Sequence, residues 1–198
     1  MSVASVRGVE RGGAAGGGEI NGVDVEALGE AAAGVRRDPA LGRVSFRVRT
    51  DWGGGARART SVESWTVAGV RRARCHTIAS DEPPELGGTN TAPNPQELLL
   101  AAVNSCIVVG FVFEAARRGI ELRSLRLETE GDLDLRGFMQ IDESVPPGPR
   151  SVRVRVIAQA EARESALREV LQAALRYSPN RWGLAMPVDV EAVLAVGG

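Results

Sequence analysis

The chain has 198 residues, enough to bury a sizeable core within one domain. Its apolar content of 43%, charged content of 25% and net charge of −1 are those of an ordinary globular protein and give no global attraction to nucleic acid or to a membrane surface. No cluster of cysteine, histidine or carboxylate residues has metal-ligand spacing, and the glycine-rich stretches do not fit a phosphate-binding loop, so neither a metal nor a cofactor is expected. Two cysteines are too few for a disulfide framework, and the N-terminal stretch has no signal-peptide core; free thiols and a cytoplasmic location are the expectation.

The chain divides by composition into three parts. Residues 1–19 are rich in glycine and alanine and are expected to form a flexible tail. Residues 20–40 carry a helical pattern with a possible N-cap at Asn21 and a stop at Asp38-Pro39, which predicts a helical extension. Residues 41–198 are expected to form the main domain.

The main domain begins with strand patterns. Val44, Phe46 and Val48 alternate with polar residues, which predicts a strand with one buried face. Two further strands, 60–67 and 70–78, are joined by a tight turn at Ala68-Gly69. A proline-rich loop over residues 81–93 then leads into a helix.

That helix is the most clearly marked element of the sequence. Asn94 is a good N-cap, Pro95 suits the first helical position, and Glu97 stands where a capping box needs it. The helix is predicted to run to Arg118 and to end at Gly119. Its middle is almost entirely apolar but too short for a membrane span, so a buried core helix is predicted.

A strip of small side chains runs along this helix. Ala102, Cys106 and Gly110 stand at i, i+4 and i+8, on one face. Because small residues allow another backbone to approach closely, Cys106 is predicted to lie at a tight packing seam that is reachable from one side.

The rest of the chain returns to alternating patterns. Strands are predicted near 125–131 and 152–156, on either side of a loop over residues 137–149. An amphipathic helix over residues 166–175 ends before Ser178-Pro179, and a last strand is predicted over residues 187–196. This order predicts an α+β fold in which antiparallel sheets pack around two helices.

Two segments resemble a known family. Asn94-Pro95-Gln96-Glu97-Leu98-Leu99-Leu100-Ala101-Ala102 with Ser105-Cys106 is similar to the signature of the OsmC/Ohr family of thiol-dependent hydroperoxide reductases, and residues 130–138 resemble a following segment of OsmC-like members. The likeness runs from about Val44 to Val196. It implies an intertwined homodimer with two sites between the subunits, a role in oxidative or osmotic stress defence, and no cofactor beyond an external thiol.

The resemblance assigns roles to individual residues. Cys106 becomes the peroxidatic thiol, and since it stands three turns inside its helix, the helix N-terminus is too far away to stabilise a thiolate. A nearby cation is therefore needed, and the resemblance implies an arginine, which matches Arg59 or, as the alternative, Arg57. The acidic partner of that arginine falls at Gln96, so either the adjacent Glu97 takes the role or Glu97 only caps the helix. Arg57, Gln96, Phe138 and Ser178 are the residues expected at the substrate.

One position departs from the family. The resemblance places a second, resolving cysteine where this chain has Ser178, and serine cannot close a disulfide with Cys106. Cys75 could substitute only within about 7 Å of Cys106, Cα to Cα. Two functions stay open: a peroxidase that uses Cys106 alone with an external thiol or dithiol, and a dimer of the same fold that binds a small apolar ligand without turnover. In the second case Cys106 is an inert core residue and Arg59 a solvated strand residue.

Overall fold

The computed structural model describes residues 18–196, so nearly all of the predicted tail 1–19 lies outside the described residues. The fold is mixed α+β with antiparallel sheets, as predicted. The elements in order are β1 (Glu19–Ile20), β2 (Val23–Asp24), α1 (Val25–Arg37), β3 (Val44–Trp52), β4 (Ala58–Val67), β5 (Val70–Ser80), α2 (Pro95–Arg117), β6 (Leu122–Gly131), α3 (Leu135–Phe138), β7 (Val152–Ala160), α4 (Glu164–Arg176) and α5 (Pro179–Ala185).

Helix α2 starts and ends as its sequence predicts. The Asn94 side chain accepts a hydrogen bond from the backbone N–H of Glu97, and the Glu97 carboxylate accepts one from the N–H of Asn94, which completes the capping box. The helix ends at Arg117, one residue before the predicted end, and Gly119 follows with a φ of 72°. That left-handed conformation is one that glycine adopts without steric cost.

One side of α2 forms the core of the chain. Phe111 and Ala115 pack against Val170 and Ala174 of α4, and all four are at most 3% exposed. The paired strands β6 and β7 lie against the same core through apolar residues such as Leu125 and Val156. Their other face carries exposed ion pairs, for example between Arg153 and Glu130.

The other side of α2 is open in the single chain. Val109 is 51% exposed and Phe113 is 40% exposed, although both belong to the apolar run. Helix α2 is also the one helix of residues 18–196 that is long and apolar enough to cross a membrane, with a mean hydropathy of 2.1. Its contacts with α4, α5 and β6 cover only part of its surface.

Strands β3, β4 and β5 form a separate three-stranded antiparallel sheet. The prediction that one face of the first strand is buried is wrong for the single chain, because all nine residues of β3 are exposed and Phe46 and Trp52 are about four-fifths exposed. Within the described part of the chain, this sheet makes no extensive contact with a helix. The sheet therefore presents an apolar face that nothing within residues 18–196 covers.

Two sequence predictions near the ends of the chain are wrong, one in the helical extension and one at the end of the main domain. The N-cap of α1 is Asp24, whose side chain accepts a hydrogen bond from the N–H of Ala27. Asn21 instead takes a φ of 57° in the turn between β1 and β2, and its amide bonds the backbone of Ile120 and Leu122. Asparagine tolerates this conformation better than most residues, so it serves the turn rather than the helix.

The predicted last strand is also absent from the described residues. Residues 187–196 have no ladder partner, and Val190, Val193 and Leu194 are each at least 87% exposed. The alternation typical of a strand is present in the sequence, but a strand forms only where a neighbour accepts its backbone hydrogen bonds.

Candidate active site

Cys106 and Ser178 meet where α2 passes the start of α5. Ser178 is the N-cap of α5, and its hydroxyl oxygen accepts a hydrogen bond from the backbone N–H of Arg181 at 3.3 Å. The same hydroxyl lies 3.2 Å from Sγ of Cys106. Ser178 is 2% exposed, whereas Cys106 as a residue is half-buried.

The strip of small residues predicted on α2 forms the seam that holds this contact. Gly110 faces Ala174 of α4, and a Cβ placed on it would lie 3.4 Å from the Ala174 Cα. One turn earlier Cys106 meets Ser178, and one turn before that the carbonyl of Ala102 accepts a hydrogen bond from the Asn180 side chain at 2.8 Å. The seam is confirmed, and it runs against the end of α4 and the start of α5.

An apolar cavity of about 390 Å³ borders helix α2, although neither Cys106 nor Ser178 is among the residues that line it. Val103 and Ile107, which flank Cys106 on α2, form part of its wall. Strand β7 and helices α4 and α5 supply the rest, including Val154, Val156, Leu171 and Leu184, and the residues Arg150 and Arg181 also border it.

The other predicted residues on α2 lie at its exposed N-terminus. Glu97 is occupied by the capping box, since its carboxylate accepts the hydrogen bond from the N–H of Asn94 at 2.8 Å. Gln96 is exposed next to it. Within the described residues no hydrogen bond or ion pair joins either side chain to an arginine.

The predicted arginines lie on the three-stranded sheet. Arg57 closes the turn after β3, where its Nε donates to the carbonyl of Gly54 at 3.3 Å, and Arg59 stands in β4 between Asp51 and Ala79. Both are exposed, and the hydrogen bonds and ion pairs of residues 18–196 do not link them to Cys106. Phe138, at the end of α3, is 59% exposed.

The second cysteine also belongs to the separate sheet. Cys75 is exposed on β5, as is His76, and β5 has no extensive contact with α2 within the described part of the chain. A histidine–cysteine pair at Cys106 is therefore not formed within one chain. Among the described residues there is also no group of three or more histidine, cysteine or carboxylate side chains that could hold a metal ion.

Sequence reasoning missed the residue that organises the loop before α2. Asp81 is 1% exposed, and its carboxylate accepts hydrogen bonds from both the hydroxyl and the N–H of Thr89 and of Thr91, besides the N–H of Glu82. The bonds from Thr89 and then Thr91 hold the pKa of Asp81 well below its usual range, against the opposing effect of desolvation. The only sequence signal was two threonines in a loop that ends at the capping box.

A family model matches the part of the chain that contains the contact of Cys106 with Ser178. The model described as OsmC-like protein matches residues 88–192, which is more than half of the chain and includes Cys106 and Ser178. No curated protein is similar enough in sequence to count as a match.

Several solved structures share the fold. A Psychrobacter arcticus protein named for osmotic stress and detoxification responses is 16% identical, with a TM-score of 0.54 over 68% of this chain and 85% of that one. An OsmC-like protein from Mycoplasma pneumoniae is 12% identical, with a TM-score of 0.53 over 72% and 87%. The organic hydroperoxide resistance protein OsmC from Legionella pneumophila is 16% identical, with a TM-score of 0.51 over 71% and 88%. At these identities the likeness shows the fold alone.

Proposed function

The chain belongs to the OsmC/Ohr family, and on that premise we propose that it reduces organic hydroperoxides through the thiol of Cys106, in defence against oxidative stress. The observation that carries the proposal is the contact between the thiol of Cys106, a half-buried residue, and the hydroxyl of the buried Ser178. A cysteine that serves only as core packing needs neither access nor a polar partner, whereas a reactive thiol needs both. The similar Legionella protein is itself described as an organic hydroperoxide resistance protein.

The proposed chemistry uses one protein thiol. The thiolate of Cys106 attacks the distal oxygen of the hydroperoxide, the O–O bond breaks, and the alkoxide leaves as an alcohol after it takes a proton. Cys106 is then a sulfenic acid. A first external thiol condenses with it to a mixed disulfide and releases water, and a second external thiol, or the other thiol of a dithiol, restores Cys106.

The apolar cavity on α2 supports an organic rather than an inorganic peroxide. Its wall is made mostly of aliphatic side chains, and Val103 and Ile107 bring it within one turn of Cys106 on the same helix. An alkyl group buried there gains about 0.8 kcal/mol for each methylene, whereas hydrogen peroxide gains nothing from such a wall.

We also propose that the active form is a homodimer with a site that is completed in trans. The apolar face of β3, the open side of α2 and the unpaired segment 187–196 are three uncovered apolar surfaces of one chain. Arg59 belongs to the sheet that has no extensive contact with α2 in its own chain. In a dimer this sheet would cover the partner's α2, and Arg59 would supply the cation that the partner's thiolate needs.

Intact-mass analysis tests the chemistry. One equivalent of cumene hydroperoxide is added to the reduced protein with dimedone present, and the expected product is a single dimedone adduct that maps to Cys106. The adduct should be absent in Cys106→Ser and unchanged in Cys75→Ser, the matched control. A Cys106 thiol that stays free for hours with excess hydroperoxide would refute the peroxidase.

Subunit mixing tests the assembly. Cys106→Ser and Arg59→Ala are each expected to lack turnover with cumene hydroperoxide and dithiothreitol. After the two are unfolded together and refolded, mixed dimers should recover activity, because one of their two sites has both residues. Arg57→Ala mixed with Cys106→Ser tests the alternative arginine. No recovery with either arginine variant, in samples that mass spectrometry shows to contain mixed dimers, would contradict completion of the site in trans.

A second candidate function is an OsmC-fold dimer that binds a small apolar ligand without turnover. The observation that favours it is the apolar cavity together with the exposed positions of Arg57 and Arg59 away from the thiol in the single chain. This function predicts that a hydrophobic fluorescent probe binds equally well to the wild-type protein and to Cys106→Ser. It also predicts that hydroperoxide and dimedone give no adduct on the wild-type protein.

A further inference from the structure

The hydrogen bonds of Ser178 leave its hydroxyl proton available to Cys106. A serine hydroxyl has one proton to donate and can accept two hydrogen bonds. The Ser178 oxygen accepts from the N–H of Arg181, so its proton is free to point along the 3.2 Å vector to the sulfur of Cys106. Ser178 is 2% exposed, so its hydroxyl is shielded from solvent.

Resting on the proposed function, we propose that Ser178 stabilises the Cys106 thiolate by donating this hydrogen bond, and that it leaves the sulfenic acid as the long-lived oxidised form of the site. A hydrogen bond to a charged acceptor is stronger than one between neutral groups, and in a half-buried site it favours the thiolate. After Cys106 has attacked the hydroperoxide, Ser178 cannot form a disulfide with the sulfenic acid, because it has an oxygen where a cysteine has sulfur. The sulfenic acid persists until an external thiol condenses with it and water leaves.

The described chain offers no other route to a quick disulfide. Cys75 lies on β5, in the sheet that has no extensive contact with α2 within residues 18–196. A sulfenic acid that no neighbouring thiol consumes can react with a second hydroperoxide molecule, which transfers a second oxygen to the sulfur and leaves as an alcohol. The product is a sulfinic acid that thiols do not reduce. The site is therefore inactivated when hydroperoxide is in excess over reducing thiol.

Two substitutions at position 178 test the role of the serine. Ser178→Ala removes the hydrogen bond but little volume, and the rate at which iodoacetamide alkylates Cys106 at pH 7 should fall about tenfold, the effect of losing about 1.4 kcal/mol. Ser178→Cys places sulfur where the hydroxyl oxygen is, and one equivalent of cumene hydroperoxide should convert it to a disulfide, seen as a loss of two hydrogen masses. This variant should also resist sulfinic acid formation at high hydroperoxide.

Ser105 provides the matched controls. Its hydroxyl donates to the carbonyl of Ala101 on the same helix, and it is exposed. In Ser105→Ala, iodoacetamide should alkylate Cys106 at the wild-type rate. In Ser105→Cys, the new cysteine should form no disulfide with Cys106. The inference would be overturned if Cys106 in Ser178→Ala were alkylated as fast as in wild type. It would also be overturned if Ser178→Cys kept both thiols reduced, or were labelled by dimedone at Cys106, without forming a disulfide.

The alkylation assay contains no hydroperoxide, so it separates this inference from the proposed function. If no sulfenic acid forms in the wild-type protein but Ser178→Ala still slows alkylation, the peroxidase fails and the hydrogen bond to the thiolate stands. If sulfenic acid forms and disappears within seconds without added thiol in the wild-type protein, the long-lived oxidised form is wrong and the peroxidase stands.

Discussion

Gly110 sets how closely α2 and α4 approach, and its replacement gives a graded test of the seam. A Cβ at this position would lie 3.4 Å from the Cα, 3.5 Å from the Cβ and 3.5 Å from the carbonyl oxygen of Ala174. These are ordinary van der Waals distances, so Gly110→Ala fits without moving α4. Alanine is favoured over glycine inside a helix by about 1 kcal/mol, and the variant should be as stable as wild type or more stable by up to that amount.

Gly110→Leu adds a carbon about 1.5 Å beyond the Cβ. That carbon would meet the Ala174 backbone, so α4 has to shift, and overpacking of this kind typically costs about 1–3 kcal/mol. The shift also carries Ser178 away from Cys106, since Ser178 follows directly after α4. Alkylation of Cys106 in Gly110→Leu should therefore slow as it does in Ser178→Ala.

Urea unfolding at a fixed protein concentration measures these differences, because the stability of an oligomer depends on concentration. Gly29 is the matched control, a glycine inside α1 with no atom within 4 Å of an added Cβ. Gly29→Leu should be neutral or stabilising. Equal stability of Gly110→Leu and Gly110→Ala, with wild-type alkylation of Cys106, would refute the close approach at the seam.

Three further predictions concern the core, the helix cap and the loop. Phe111→Ala, at a site that is 1% exposed, should lower the free energy of unfolding by about 3–5 kcal/mol in urea; a loss below about 1 kcal/mol would contradict its place in the core. Asn94→Ala should lower the free energy of unfolding by about 1 kcal/mol because the helix cap is lost. Equal urea midpoints for this variant and wild type would argue against the capping box. The lowered pKa of Asp81 means that its ionised form stabilises the folded loop, so the stability advantage of wild type over Asp81→Asn should be complete above about pH 5 and should decline progressively as the pH falls from about 4 towards the much lower pKa of the folded state. A difference that does not change with pH would show that Asp81 acts through shape alone.

The local signals of the sequence predicted the central helix and its seam. The capping residues Asn94 and Glu97 and the spacing of Ala102, Cys106 and Gly110 are short-range patterns, and the structure follows them to within one residue at either end of α2. The contact of Cys106 with residue 178 was foreseen only through the resemblance to the family, because nothing in the spacing of two distant residues predicts that they meet.

The failures have other causes. The buried face predicted for β3 and the strand predicted over 187–196 both depend on a partner surface that residues 18–196 of one chain do not supply. Asn21 has the side chain of an N-cap but stands in a turn, where a positive φ and bonds to Ile120 and Leu122 decide its role. Asp81 was missed because its five hydrogen bonds come from a loop whose path no pattern of apolar residues specifies.

The separation of the three-stranded sheet from the helices has a consequence for the order of folding. Strands β3, β4 and β5 are joined by short connections and pair only with their neighbours in sequence, so this sheet can form by local hairpin closure on a microsecond timescale. Helices α2 and α4 with the β6–β7 pair can close their core without waiting for that sheet. Joining the two halves, in the proposed dimer, is then a second-order reaction. Refolding at rising protein concentration would accelerate only this last phase, and the appearance of a working thiol site would follow the collision rate of the chains rather than the folding rate of either half.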